Sequence, residues 1–309
     1  MQMAPTLILA EEANPLGHVV NHSWWQSADG VWLWSAQTGT LVLAGLLTVI
    51  VLLWAAKHIG TGPAGKGNER YITVNPFAHM IEYICSYLRD NTVRPLLGGR
   101  TDAFMPFLWT IFFFILFNNV LGLIPILDVL NLIDAGLGLG WHHQHSAPIG
   151  GTATQNLFVT GALALIAALV INVAGMKELG VGGYLKHLTA GTPVLLWPLM
   201  IPIEVMGTFI KPVALALRLF ANMTAGHILM AVLFSFAGAG VSGAMNYAVG
   251  VPVTLVSCIA TALIYFLELF VALLQAFVFM FLTTVFISQL SHHHDHEHDE
   301  AHGHEHAHA

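Results

Sequence analysis

Lys211-Pro-Val-Ala-Leu-Ala-Leu-Arg218-Leu-Phe-Ala-Asn222-Met-Thr-Ala-Gly226-His227 lies inside an apolar run bounded by Pro193 and Gly238. A permanent cation buried in hydrocarbon costs several kcal/mol even when water defects and snorkelling relieve it, so an ionisable residue in such a run marks function. Arginine suits a fixed charge better than lysine does. Its pKa is too high for it to lose the proton, so it can repel cations or pair with a carboxylate without joining the proton traffic.

The rest of the chain agrees that this run belongs in a bilayer. Of 309 residues 56% are hydrophobic and 9% are charged, with a mean hydropathy of +0.71, a balance that a water-soluble domain does not keep. A membrane helix needs about 20 mostly apolar residues. Three spans meet that length, Gly39 to Ala56, Ala103 to Leu127 and Leu157 to Met176. Two longer stretches follow, from Thr192 to Gly238 and from Tyr247 to Leu290, each roughly twice the length that one perpendicular crossing requires. Each is either a hairpin or one long tilted helix, and Pro198, Pro202, Pro212 and Pro252 are the positions at which a helix would break or kink.

Positive charge orients the chain. Lys57, Lys66, Arg70, Arg89, Arg94, Arg100, Lys177 and Lys186 fall in two connections, which the positive-inside rule assigns to the cytoplasm. The segment before Gly39 and the loop from Asp128 to Asn156 contain no Lys or Arg and are assigned outside. The alternation closes with five crossings, an external N-terminus and a cytoplasmic C-terminus. The expected architecture is an all-α integral membrane protein with about five membrane helices, the last two long and tilted.

Residues 1–38 read as an external tail in which Trp24, Trp25, Trp32 and Trp34 approach the first span at headgroup depth, where indole rings anchor. Residues 39–290 are the membrane domain. Within it, Gly60 to Gly67 is a flexible linker. The stretch Asn75 to Leu97 mixes Phe77, Met80, Ile81, Ile84 and Leu88 with Glu82, Arg89 and Asp90, the pattern of an amphipathic helix on the cytoplasmic surface. The apolar run Pro5 to Ala10 lacks the basic flank of a signal peptide, so the tail is expected to be retained. Cys85 and Cys258 read as free thiols. Residues 291–309 form a His-rich tail expected to be disordered and cytoplasmic. Its His292, His293, His294, His296 and His298 interleave with carboxylates and can hold zinc, nickel or copper weakly, but their spacing fixes no geometry. His142, His143 and His145 form a smaller cluster in the external loop, read as interfacial histidines. No cofactor is expected.

Polar residues inside the two long stretches are spaced as stripes. Positions seven apart return to nearly the same helix face, so Glu204, Lys211 and Arg218 form one line, with Asn222 a further turn along it. His227 lies roughly half a turn round from Arg218 and about 13 Å further along the axis. In the last stretch Glu268 and Gln275 again lie seven apart. Two acids, two bases and a histidine on neighbouring membrane helices point to ion translocation, because relays of Glu and His are the usual way protons cross low dielectric.

These residues resemble subunit a of the F-type ATP synthases. The resemblance rests on Leu217-Arg218-Leu219-Phe220-Ala221-Asn222-Met223, on Gly226-His227, on Leu267-Glu268 through Gln275-Ala276, and on Asn118-Asn119-Val-Leu-Gly-Leu-Ile-Pro125; it covers roughly residues 36–290. It implies a stator beside a rotating ring of c-subunits, each bearing a membrane carboxylate, with two aqueous half-channels separated by Arg218. It further implies peripheral-stalk b subunits and the remaining ATP synthase subunits as partners, a bacterial inner membrane as the location, and no partnership with nucleic acid. By matching position His227 and Glu268 are the ionisable pair of the outer half-channel, in the reverse order from many bacterial relatives. Asn222 and Gln275 are polar neighbours of the arginine, Glu204 matches an acidic position of the cytoplasmic half-channel, and Asn119 lines the outer one. Gly122 stands where many relatives carry an acid. Lys211 matches a basic position of the family and also reads as an amine snorkelling to the interface.

The chain contains no Gly-x-x-x-x-Gly-Lys-Ser/Thr nucleotide loop, so it is not expected to be an enzyme by itself. An ion-coupled secondary transporter is the alternative; it calls for inverted repeats around a midplane substrate site, and no internal repeat is evident. A haem-binding redox subunit needs paired axial histidines in the spans, where only His227 lies.

Overall fold

The computed structural model describes residues 23–26, 32–59, 73, 75–124, 149–188, 194–241 and 246–291. A short antiparallel hairpin comes first, β1 (Ser23–Gln26) and β2 (Trp32–Ser35), with Ser23 opposite Ser35 and Gln26 opposite Trp32. The described part of the tryptophan-rich approach to the first span is therefore paired backbone. Helices follow as α1 (Ala36–His58), α2 (Pro76–Tyr87), α3 (Arg94–Leu97), α4 (Thr101–Leu123), α5 (Leu157–Leu188), α6 (Trp197–Val241) and α7 (Tyr247–Ser291). Among the described residues five helical segments are long and apolar enough to cross a membrane, and the protein is an all-α membrane protein.

Both long stretches are single helices of 45 residues. Pro202 and Pro212 sit inside α6 and Pro252 inside α7 without ending either. At about 1.5 Å per residue each helix is ~67 Å long, more than twice the ~30 Å of a hydrocarbon core. A perpendicular placement would push apolar residues out into water, so length favours an inclined one. Helix α5 is instead interrupted, at Gly180, whose φ of 67° and ψ of 165° only glycine adopts freely.

Membrane helices hide small residues and show large ones, because lipid tails are as apolar as leucine and close backbone approach is what packing rewards. In α1 the buried line is Thr40, Ala44, Thr48 and Ala55, while Leu46, Ile50 and Leu53 are exposed. Where α6 meets α7, a Cβ on Gly240 would lie 2.7 Å from the carbonyl oxygen of Gly250. Two glycines thus let the backbones touch at the top of this helical hairpin.

The described residues of Met1–Leu47, Phe114–Val159 and Arg218–Gln275 form one compact unit; those of Thr48–Phe113, Thr160–Leu217 and Ala276–Ala309 form a second. In the second, Asn75 caps α2 by accepting from the backbone N–H groups of Phe77 and Ala78 at 3.0 and 3.3 Å, with Pro76 in the first turn. The expected amphipathic helix over 75–97 is built as α2, a π-helical stretch Leu88–Val93 and α3. Arg89 at its middle donates from Nε and a terminal nitrogen to Asp102 Oδ1, at 2.9 and 2.7 Å. Trp109 donates to the Cys85 carbonyl at 3.2 Å and Ser288 to that of Leu96 at 2.8 Å, joining this surface helix to α4 and α7. Cys85 and Cys258 are both free.

In the first unit the segment 149–156 is tied to the start of α1. Thr40 Oγ1 donates to the Gly150 carbonyl at 3.2 Å, and the Gly150 N–H reaches both Thr40 Oγ1 and the Ala36 carbonyl at 3.2 Å. Gly151 then turns with φ 68°, a left-handed value open to glycine. Asn156 caps α5 by accepting from Phe158 N–H at 3.0 Å, and its amide donates to Gln37 Oε1 at 3.4 Å. The turn and the cap together direct Thr152, Thr154 and Gln155 inward, all of them buried.

Candidate functional site

The polar residues of the first unit meet around His227 on α6. Its Nδ1 lies 2.9 Å from Oε1 of Glu268 on α7 and 3.0 Å from the Met223 carbonyl. Its Nε2 lies 3.0 Å from Thr152 Oγ1 and 3.2 Å from the Gly122 carbonyl. Glu268 is 3% exposed, and apart from the imidazole its carboxylate has no hydrogen-bond partner among the described residues. A carboxylate so placed needs a positive or proton-sharing neighbour, because an unpaired buried charge is far costlier than a paired one. The imidazole supplies it.

Gly226 makes this approach possible. A Cβ there would lie 2.5 Å from Glu268 Oε1 and 2.9 Å from its Cδ, so any side chain at 226 competes with the carboxylate for the same space. Gly122 plays the same part for Thr152: a Cβ at 122 would fall 2.5 Å from Thr152 Cβ and Cγ2. The room beside Gly122 is filled by the threonine.

Asn119 on α4, fully buried, accepts from Thr154 Oγ1 at 2.9 Å and donates to the Ala272 carbonyl of α7 at 3.4 Å. Gln155 donates to the Met223 carbonyl at 3.5 Å. Tyr265 of α7 donates to the Leu123 carbonyl at 2.8 Å. One turn-pair further along α7, Gln275 accepts from Asn222 of α6 at 3.1 Å, while its own amide nitrogen is buried and unpartnered within the described residues. Glu268 and Gln275, seven apart on one face of α7, thus meet His227 and Asn222 of α6 in two separate contacts.

Arg218 is not part of either contact. It is exposed on α6, flanked by Leu217, which is 49% exposed, and no intrachain hydrogen bond or ion pair engages its guanidinium among the described residues. Lys211 belongs to the second unit, where its Nζ donates to Gln289 Oε1 at 3.4 Å and sits 5.2 Å from the centre of the Phe286 ring. That is the stem-buried, head-outward posture of a snorkelling amine. Glu204 lies on α6, and its side chain is outside those described, as are His292, His293, His294, His296, His298 and the cluster His142, His143 and His145. Among the described residues no group of three or more His, Cys, Asp or Glu is disposed to hold a metal.

Thr152, Thr154, Gln155 and Tyr265 were missed from the sequence. A threonine in a loop carries no periodicity, and only the fold shows that segment 149–156 lies against α6. The glycine at 226 was quoted only as part of a motif, and its reason is the carboxylate opposite it.

The chain is similar to known proteins over most of its length. The family model described as "ATP synthase A chain" matches residues 38–288. Among similar curated proteins, "ATP synthase subunit a 2" of Chlorobaculum tepidum is 38% identical over 254 residues, 81% of this chain and 61% of the relative. "ATP synthase subunit a" of Myxococcus xanthus is 41% identical over 221 residues, 70% of this chain and 62% of the relative. "ATP synthase subunit a 2" of Prosthecochloris aestuarii is 36% identical over 250 residues, 79% and 68%. The matched stretch therefore spans less than two thirds of the first two relatives' own length. With five apolar helices, and with a family match that runs from α1 nearly to the end of α7, the chain belongs to the ATP synthase A chain family.

Proposed function

We propose that this chain is the proton-translocating stator subunit of a rotary F-type ATP synthase, set beside a ring of c-subunits in a bacterial inner membrane. Arg218 separates two aqueous half-channels. His227 and Glu268, with Asn119 nearby, carry protons through the outer one, Glu204 lies on the cytoplasmic one, and Asn222 and Gln275 are polar neighbours of the arginine. The N-terminus is outside and the C-terminus cytoplasmic. The ring, the peripheral-stalk b subunits and the other ATP synthase subunits are its partners, and the chain binds no nucleotide itself.

The observation that carries this reading is Arg218: a fixed cation on an apolar helix flank, exposed and without an acid partner among the described residues. A guanidinium in low dielectric calls for a counter-charge, and none is offered by the described residues of this chain. A passing carboxylate on a neighbouring subunit meets the need transiently, which is what a rotor requires. Support also comes from α6 itself, of whose membrane window only 17% is buried, the least of the five. That leaves a long apolar flank for another subunit.

Cysteine cross-linking tests the reading. Single cysteines at the exposed positions Leu217 and Ala221 are paired with cysteines beside the ring carboxylate in membranes that are also assayed for ATP-driven acidification. Efficient cross-links in pumping membranes, together with loss of pumping in Arg218→Ala, are the expected result. No cross-link and no co-purifying ring, with the isolated chain moving a solute down an ion gradient, would give the case to a secondary transporter.

A further inference from the structure

We infer that Thr152 is the positioning residue that lets Nε2 of His227 exist without its proton, and so makes that nitrogen the one that takes up and releases protons. The inference rests on the proton-path reading of His227 above and adds the residue that governs it.

The four partners of the ring are unequal. Nδ1 faces the Met223 carbonyl at 3.0 Å and a Glu268 carboxylate oxygen at 2.9 Å. A backbone carbonyl only accepts, and an ionised carboxylate only accepts, so Nδ1 keeps its hydrogen whether the ring is charged or neutral. Titration then falls to Nε2. A charged ring is well served there, since Nε2–H can donate to the Gly122 carbonyl at 3.2 Å or to Thr152 Oγ1 at 3.0 Å. A neutral ring presents a lone pair at Nε2, and the Gly122 carbonyl presents another. Of the two groups at this nitrogen, only the Thr152 hydroxyl can turn from acceptor to donor. It therefore follows the proton on and off the ring, as outer partners of working histidines do elsewhere.

Among the described residues nothing substitutes for it. Thr152 is fully buried, and Gly151, with φ 68°, and the Thr40–Gly150 hydrogen bonds hold its segment in place. The groups able to influence His227 in this unit are Glu268 and Tyr265 on α7 and Arg218 on its own helix, with Tyr247 and Cys258 further along α7; the described residues of α1, α4 and segment 149–156 in this unit add no titratable group. Tyr265 is already committed to the Leu123 carbonyl. Glycine at 122 is the complementary half of the device, because any Cβ there would displace the threonine.

The test compares Thr152→Val and Thr152→Ala, which lack the hydroxyl, with Thr152→Ser, which keeps it, in whole ATP synthase in membrane vesicles. Proton-driven turnover is followed against the pH of the outer compartment, with complex assembly checked by immunoblot. Leaving a buried polar atom unserved in one protonation state shifts a titration by about one pH unit. Valine and alanine should each lower the plateau and move the alkaline limb up by about that much, because a ring that cannot be served when neutral holds its proton longer. Serine should restore both. Parental profiles in the assembled valine or alanine enzyme would overturn the inference, since Nε2–H would then rest permanently on Gly122. So would a serine variant as impaired as the other two, which would reduce the role to shape. His227→Ala and Glu268→Gln are run alongside. If both pump like the parent, the proton-path reading itself has failed; if they are impaired while the hydroxyl-free variants are normal, only the role of Thr152 has.

Discussion

Replacing Gly226 by alanine tests whether the His227–Glu268 pair works by contact. The added methyl carbon would sit 2.5 Å from Glu268 Oε1, whereas ordinary contact begins near 3.4 Å. The carboxylate must withdraw by about 0.9 Å, which stretches its 2.9 Å approach to His227 Nδ1 to nearly 3.8 Å, beyond hydrogen-bond reach. A misplacement of about 1 Å costs roughly 100-fold in reactions that depend on held geometry. We expect proton conduction to fall 10- to 100-fold, with the complex still assembled. Gly238→Ala is the control: it lies on the same helix, nothing stands within 4 Å of its added carbon, and it carries the same gain in helix propensity, about 0.5–1 kcal/mol. The assay is ATP-driven acidification of inverted vesicles, with passive proton conduction measured after the ATPase head has been stripped. Parental conduction in Gly226→Ala, or an equal loss in Gly238→Ala, would refute the argument that close approach of the carboxylate is required.

Glu268→Gln should slow proton uptake most where outside protons are scarce while leaving assembly intact; equal turnover to the parent at every outer pH would remove Glu268 from the path. Exchanging His227 and Glu268 together should retain more activity than the two single exchanges imply, as coupled neighbours do, and strictly additive losses in a double-mutant cycle would argue that they act apart. Lys211→Gln should change coupled pumping less than two-fold, because its partners are the exposed Gln289 and the Phe286 ring and surface contacts of this kind are worth under about 1 kcal/mol; a loss as large as that of Arg218→Ala would make it mechanistic.

Much of the fold was legible because bilayer thickness and hydropathy are blunt instruments that agree. Three spans and two long stretches emerged from composition, and α1, α4 and α5 lie where expected, with residues 125–127 of the second span outside those described. What composition left open was whether Pro202, Pro212 and Pro252 break their helices. A proline removes one backbone donor and crowds the preceding turn, and whether that bends or ends a helix depends on neighbours absent from the sequence. Within the site, period groups Glu268 with Gln275 and Asn222 with Arg218, whereas His227 lies half a turn off that line and only the resemblance pairs it with Glu268. Thr152 and Thr154 were not readable by period, since their placement depends on a glycine turn and on hydrogen bonds to α1, more than a hundred residues earlier in the chain. Lys211, which heptad spacing aligns with Glu204 and Arg218, has a partner of its own in Gln289.

The hydrogen bonds around His227 and Asn119 join positions 75, 105 and 153 residues apart in the chain, and Glu268 is supplied by α7, which follows every other contributor to the site. A half-made chain already in the membrane would hold Arg218 and His227 yet lack Glu268, Gln275 and the carbonyl that receives Asn119. The site that the proposed proton path uses is thus complete only once α7 has been made. On that reading, a product that stops before α7 holds no complete route by which to dissipate a gradient.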